Sequence, residues 1–452
     1  MSIYAEDVLS FTSVLKMSYN FLSGRDYLRK RKTRERKKII SVALGFPDLV
    51  FAANAIPVFP IRMESFKINT LLIALNSATS VLGWDLTSKV LDIAKKFDIL
   101  KVVDKILDEV INSVNEKYNQ MYDLGSENGI PSDLCYGVNA LYGMHKSVGT
   151  QIDGNLNFAM RCGEWNKYSE SLKSLVPNQV WVDLPQKGKD VEDEKNAVQI
   201  MKSNIQNAVK ELENITGNYV SDESLRKQFR IGNQVKRFYK TILYEICPGN
   251  FYPCNPAVFS EILALLTISF QDYNSNAQRY LENLSQLVKE MRERVKKGIG
   301  MEVSNRPRLL FSPMFTGWEP EIHEIVSELG GRLIYADWEL LGLLEEIPVS
   351  NNSDPIEDYA KFLLKASNEG IGCNIDNLKR SYFKIAKEMQ IDGLIFNQAF
   401  GCPSISNIYD SLKEEIKEDL SIPAIGITFR KIGDNVEEVK NRLKSFMDMF
   451  NQ

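Results

Sequence analysis

Six cysteines are spread over 452 residues, and four of them stand in paired surroundings. Cys162 follows the short apolar run "LNFAM" (156–160), and Cys402 follows "DGLIFNQ" within "DGLIFNQAFGCPS" (392–404). Cys135, in "PSDLCYGVNALYGM", and Cys373, in "EGIGCNIDNLKR", each open a helical stretch. The separations are 27 residues for Cys135–Cys162 and 29 for Cys373–Cys402. A cysteine at the mouth of a strand is either a small buried hydrophobe or a thiolate ligand, and thiolates suit zinc, copper(I) and iron–sulfur clusters. The spacing is far longer than the two or three residues of a zinc knuckle or a two-cluster ferredoxin. Any site built from these thiols therefore needs the folded chain to gather it. Cys247 and Cys254, in "EICPGNFYPCNP", lie in a helical stretch, where a structural role is the simpler reading.

Other residue types narrow the chemistry. The two histidines, His145 and His323, are too few for a His-based metal site. His145, ten residues past Cys135, is a candidate proton donor or else a satisfied, half-buried histidine. His323 reads as a packing or surface group. Glu164 and Trp165 beside Cys162 could shape a site or simply pack. Ser404 and Asn397 flank Cys402 and are candidates for hydrogen bonds to a cluster's sulfurs. The chain has no "GxSxG" nucleophile elbow and no "GxxxxGK[ST]" phosphate loop, so ATP hydrolysis belongs to another protein.

The elements that would position these groups alternate. "RPRLLFSP" reads as a strand, "EPEIHEIVSELGG" as a helix with a glycine stop, and "RLIYADW" as a strand. "NIDNLKRSYFKIAKEMQI" is a helix, "DGLIFNQ" a strand, "SISNIYDSLKEEIKEDL" a helix, "IPAIGITF" a strand and "NVEEVKNRLKSFMDMF" a closing helix. That rhythm predicts a doubly wound parallel sheet, whose ligands sit outside the carboxyl ends of the strands. The first half offers strands at "LNFAM" and "QVWVDLP", plus an amphipathic helix from Val90 to Lys117. "KIISVALGFPDLVFAANAIPVFP" reads as a helix end, a turn and a buried strand over "DLVFAANAIPVFP". Residues 192–298 read as a helical connection with Gly217 and Gly298 at helix C-caps. The expected organisation is 1–40 an N-terminal helical segment, 41–190 a first α/β domain, 191–299 the connection, and 300–452 a second α/β domain.

Composition excludes other classes. The net charge of −4 argues against a nucleic-acid or membrane-surface protein. The local exception is "RDYLRKRKTRERKK" (25–38), a solvated helix face, a partner contact or a polyanion contact. The most apolar window, 39–63, is interrupted by Pro47, Asp48, Pro57 and Pro60, which a spanning helix would not tolerate together. The opening "MSIYAEDVLSF" lacks a signal-peptide pattern. The expectation is a cytoplasmic protein with reduced thiols.

Taken in order, "GFPDLVFAANAIPVFPIRM", "SDLCYGVNALYGM", "MRCGEWNKYSESL", "VWVDLPQ", "RPRLLFSPMF", "DGLIFNQAFGCPS" and "IPAIGITF" carry a resemblance. The chain resembles the 2-hydroxyacyl-CoA dehydratase and benzoyl-CoA reductase iron–sulfur subunits over nearly its whole length. The resemblance implies two flavodoxin-like halves and a [4Fe–4S] cluster on Cys135, Cys162 and Cys402, with one iron left open. It implies a second homologous subunit or a second copy of the chain, a separate ATP-hydrolysing iron–sulfur activator, and an acyl-CoA substrate. The implied reactions are (R)-2-hydroxyacyl-CoA dehydration or aromatic acyl-CoA reduction by a radical route. Where the family often has Asp after its second cysteine, this chain has Gly163. Adding Cys373, Cys247 and Cys254 would make the six thiolates of a double-cubane [8Fe–9S] cluster, whose proteins reduce small molecules. A family scaffold without chemistry is the remaining alternative.

Overall fold

A computed structural model describes residues 7–8, 10–42, 47–63, 99–131, 134–148, 151–159, 162–185, 191–312, 320–340, 342–366, 375–398, 400–429 and 431–450. Helices α1 (Thr12–Leu22) and α2 (Gly24–Glu35) lead into strand β1 (Ile39–Val42), a short helix α3 (Asp48–Ala52) and strand β2 (Ile56–Val58). The long helix α4 (Ile99–Glu127) and α5 (Tyr136–Val148) precede β3 (Gly154–Ala159), α6 (Gly163–Leu172) and β4 (Gln179–Asp183). A helical connection follows: α7 (Val191–Thr216), α8 (Asp222–Thr241), the small strand β5 (Phe251–Tyr252), α9 (Pro256–Phe270) and α10 (Ala277–Lys296). Next come β6 (Met301–Glu302), β7 (Arg308–Ser312), α11 (Pro320–Glu328), β8 (Arg332–Ile334), α12 (Asp337–Leu340), α13 (Pro355–Ala366) and α14 (Ile375–Glu388). The chain closes with β9 (Gly393–Asn397), α15 (Pro403–Leu420), β10 (Ala424–Ile427) and α16 (Val436–Met447).

The strands make two four-stranded parallel sheets, ordered β2-β1-β3-β4 and β10-β9-β7-β8. Numbered within each half, both read 2-1-3-4, the beginning of the flavodoxin-like order. Full coverage by helices explains why the central strands "IISV" and "GLIFN" are buried at every position, as parallel sheets require. One apolar core runs through both halves and the connection. A buried ion pair fastens the first half to the connection. Arg62 Nη1 lies 2.6 Å from Asp272 Oδ2 and donates to Ser275 Oγ at 2.6 Å.

The N-terminal part of the first half departs from the sequence expectation. Ile39–Val42 is a strand and not a helix end, because a β-branched pair leaves the basic helix and enters the sheet centre. "DLVFAANAIPVFP" is not one strand. Asp48–Ala52 forms a helix, Asn54 turns the chain at φ 54°, and only Ile56–Val58 pairs with β1. The helix expected from Val90 is described from Ile99, and residues 64–98 lie outside the described residues.

Two glycines fix the helix that begins after Cys135. A methyl group on Gly143 would overlap the Met121 carbonyl, and one on Gly125 would overlap the Asn139 carbonyl. Helices α4 and α5 thus cross backbone to backbone. Glycine inside a helix is unfavourable against alanine, so the close crossing accounts for both.

Candidate functional site

Two cysteines share one local stereochemistry, and a third stands directly before a helix. Cys162 caps α6 from an extended conformation (φ −96°, ψ 111°), and Cys402 caps α15 likewise (φ −104°, ψ 92°). Cys135 immediately precedes α5, and its carbonyl accepts the Asn139 N–H at 3.1 Å. The sequence around Cys402 now has a reason. Gly401 takes the left-handed φ of 75° that turns the chain after β9, and Pro403 stands in the first turn where its missing N–H costs nothing. Cys162 and Cys402 each follow the third strand of their half, at the carboxyl edge of a parallel sheet.

The electrostatics of the caps are opposed. Burial pushes the Cys135 thiol up to about 11, outweighing the Gly137 and Val138 N–H groups that face the sulfur and pull the other way. The nearby Cys162 and Glu164 add to the rise. Burial also raises Cys162, against the N–H groups of Trp165 and Glu164. The two thiols therefore influence each other and hold protons at neutral pH, so a thiophilic cation must displace those protons to bind. Helix N-termini favour negative charge, so the N–H groups at the caps act against the effect of burial. All five described cysteines are free of disulfides.

Glu164 completes the first-half cluster. Its Oε1 accepts from Lys167 Nζ at 3.2 Å, while Oε2 is shielded from solvent without a hydrogen-bond partner. Trp165 is a packing residue: its indole N–H donates to the Phe158 carbonyl at 3.0 Å and its ring lies against Tyr168. His145 is fully buried, not half-buried. Its Nε2 lies 2.8 Å from Ser41 Oγ, its Nδ1 lies 2.9 Å from the Leu141 carbonyl, and Tyr168 Oη stands 3.2 Å away. Burial lowers its pKa to about 4, so it is neutral and committed. His323 is also buried rather than on the surface; its Nε2 meets the Tyr335 hydroxyl, and burial lowers its pKa to about 3.

The second half places Cys402 at 8 % exposure and Asn397 buried at the end of β9. The side chain of Ser404 and all of Cys373 lie outside the described residues. The cap of α15 is linked to the cap of α5 through one loop. Phe400 N–H donates to the Phe429 carbonyl at 3.3 Å, and three residues on, Ile432 N–H lies 3.4 Å from Tyr136 Oη. Asn119 Nδ2 donates to the Ile432 carbonyl at 2.9 Å. Tyr136 is the neighbour of Cys135, so the loop after β10 ties the two halves together at the cysteine edge.

Cys247 and Cys254 differ in every respect. Both are fully buried, and burial raises both thiols far above their ordinary range. Cys247 feels the charge of Arg332, which opens β8, and Cys254 feels Asp7 and Arg294. They sit by the amino edge of the second sheet, away from Cys402. Among the described residues no three His, Cys, Asp or Glu side chains converge as ligands of a single ion. A cubane cluster makes a different demand, because each thiolate holds its own iron.

Sequence reasoning missed several polar groups. Asn157, on β3, is 1 % exposed with neither amide atom hydrogen-bonded, and its only signal was a polar residue inside "LNFAM". Ser312, at the end of β7, donates to Asp337 Oδ1 at 2.7 Å and lies 3.0 Å from Tyr382 Oη. These partners are 25 and 70 residues distant. A family model described as 2-hydroxyglutaryl-CoA dehydratase, D-component, matches residues 99–450, a span holding all six cysteines. No curated protein matches the chain.

Proposed function

The chain belongs to the 2-hydroxyglutaryl-CoA dehydratase D-component family, and on that premise we propose that it is the iron–sulfur component of an ATP-activated 2-hydroxyacyl-CoA dehydratase. The observation that carries the reading is the placement of Cys162 and Cys402, each the N-cap of a helix that follows the third strand of its half, with Cys135 opening α5 close to Cys162. The donor set fits the group the family carries: free thiols for iron, N–H groups aimed at sulfur, and the solvent-shielded Glu164 Oε2 beside them. When bound, a [4Fe–4S] cluster supplies single-electron transfer to an acyl thioester and an iron open to substrate oxygen.

The chain's own residues supply the rest. The caps of α5, α6 and α15 offset the negative charge that three thiolates bring into a partly buried site. Glu164 Oε2, shielded from solvent and without a hydrogen-bond partner, is the atom positioned to relay a proton to a leaving 2-hydroxyl. His145 has no part in that transfer, since burial keeps it neutral and both its nitrogens are engaged. The electron comes from a separate ATP-hydrolysing iron–sulfur activator, because the chain has no phosphate loop. A homologous subunit pairs with it, and the whole works in the cytoplasm.

The dehydratase named by the family favours this reading over aromatic ring reduction. The burial of Cys247 and Cys254 at the opposite edge speaks against a six-thiolate double-cubane cluster. Iron and sulfide content of anaerobically purified protein tests the proposal. About four irons per chain is the expected result. About eight would mean the double-cubane cluster, and none in a folded chain would mean a scaffold without redox chemistry.

A further inference from the structure

A half-open cavity of about 740 Å³ is lined by the start of α7 and by α12, α13 and α14. Helix α7 follows β4 and α12 follows β8, so the cavity draws on both halves at the carboxyl edges of their strands. Among the described residues no cysteine lines it, whereas four cations and two carboxylates, Glu194 and Glu339, do. The cations are Lys361 and Lys365 on α13, and Arg380 and Lys384 on α14. Each pair is spaced i, i+4, so two like-charge pairs on two helices are turned toward one space, a placement that weakens an isolated helix. An anion between the helices would offset that repulsion.

Existing partners leave this charge incompletely used. Lys361 pairs with Glu357 at 2.8 Å, Lys365 with Glu345 at 3.2 Å and Lys384 with Glu339 at 3.2 Å, each lysine about half exposed. Such pairs are weak. Arg380 has no carboxylate partner among the described residues and rests on the Asp376 carbonyl and the Asn377 side chain. Glu339 is different: its side chain is 4 % exposed, Oε1 takes Lys384, and Oε2 makes no hydrogen bond of good geometry, with the Tyr244 hydroxyl close to the carboxylate. The cavity thus offers a cationic rim and one buried acceptor. A ligand that satisfies both carries phosphates and an N–H or O–H donor.

We propose that this cavity seats the phosphorylated nucleotide end of coenzyme A, its phosphates on Arg380, Lys361 and Lys365 and a donor group on Glu339 Oε2. The proposal rests on the acyl-CoA reading above and states where the coenzyme lies. An arginine suits bidentate phosphate binding and lysines add point charge, and the volume lies in the ordinary range for ligand sites.

Calorimetric titration of the purified full chain with coenzyme A, dephospho-coenzyme A and pantetheine tests it. Wild type binds coenzyme A more tightly than dephospho-coenzyme A, and pantetheine weakest. The double variant Lys365→Ala/Arg380→Ala loses at least tenfold in affinity for coenzyme A, while its affinity for pantetheine stays unchanged. The conservative pair Lys365→Arg/Arg380→Lys keeps most of the affinity. A double variant binding coenzyme A within twofold of wild type overturns the assignment, as does a wild type without preference for the phosphorylated ligand. Iron content of the same samples reports separately on the cysteine site: loaded iron with unchanged coenzyme affinity sinks the cavity alone.

Discussion

The two halves of the molecule share one sheet order, yet they carry unequal chemistry. Each has a thiol after its third strand, Cys162 in one and Cys402 in the other, and each has a serine in its first strand bonded to a buried titratable group. In the first half Ser41 meets the neutral His145; in the second Ser312 meets the carboxyl of Asp337. The first half also brings two half-buried thiols and an unpartnered carboxylate oxygen to its edge. The second brings one thiol, buried nearly out of solvent. Duplicated topology repeats the places where ligands can stand, and local sequence decides which places are used.

Removing a thiol gives the largest expected contrast. Cys135→Ala or Cys162→Ala should abolish bound iron, measured by colorimetric iron assay under anaerobic conditions. Cys247→Ala and Cys254→Ala should keep the full iron content and each lose roughly 1–2 kcal/mol of stability in urea as small core cavities. Iron loss from the second pair would erase the distinction between the two edges.

The histidines sharpen the comparison through pH. His145 titrates at about 4 in the fold against an ordinary 6.5. Between these values the unfolded chain binds the extra proton, so stability is full above pH 6.5 and falls as pH drops toward 4. The loss from His145 comes to about 3 kcal/mol, and His323 contributes with the same sign. His145→Gln should flatten the stability profile between pH 6.5 and 4, read by urea unfolding at each pH. An unchanged slope would mean the imidazole is not held neutral.

A smaller difference separates the serines. Ser312→Ala, which deprives a carboxyl of its donor, should cost roughly 1.5–3 kcal/mol; Ser41→Ala, facing a neutral ring, roughly 0.5–1.5 kcal/mol. The reverse order in urea midpoints would contradict the assigned partners. Smallest of all, Arg237→Ala breaks the exposed pair with Glu346 and should change stability by less than about 1 kcal/mol.

Much of this architecture was legible in the sequence where signals are local. The strands "RLLFS", "GLIFN" and "NLNFA" announce themselves as apolar runs between turns, and the repeated cysteine setting pointed to two similar halves. "FGCPS" carries its own explanation once glycine supplies the turn and proline the first helical position. The stretch 48–60 misled because a short helix and a short strand, both buried, have the same apolar composition as one longer strand. Side-chain partners were beyond reach: Ser41 and His145 are 104 residues apart, and nothing local marks either as buried and paired. The paired cations of "KFLLK" and "RSYFK" were visible as residues, but only the fold shows that both helices line one cavity.

The central claim is that thiols from both halves hold one iron–sulfur cluster, and Cys402 is the thiol that makes it so. Iron and acid-labile sulfide measured in anaerobically purified Cys402→Ala beside wild type test this most directly. The account predicts about four irons in wild type and loss of the cluster in the variant, with the fold intact by circular dichroism. A folded Cys402→Ala protein that keeps the wild-type iron and sulfide would contradict it.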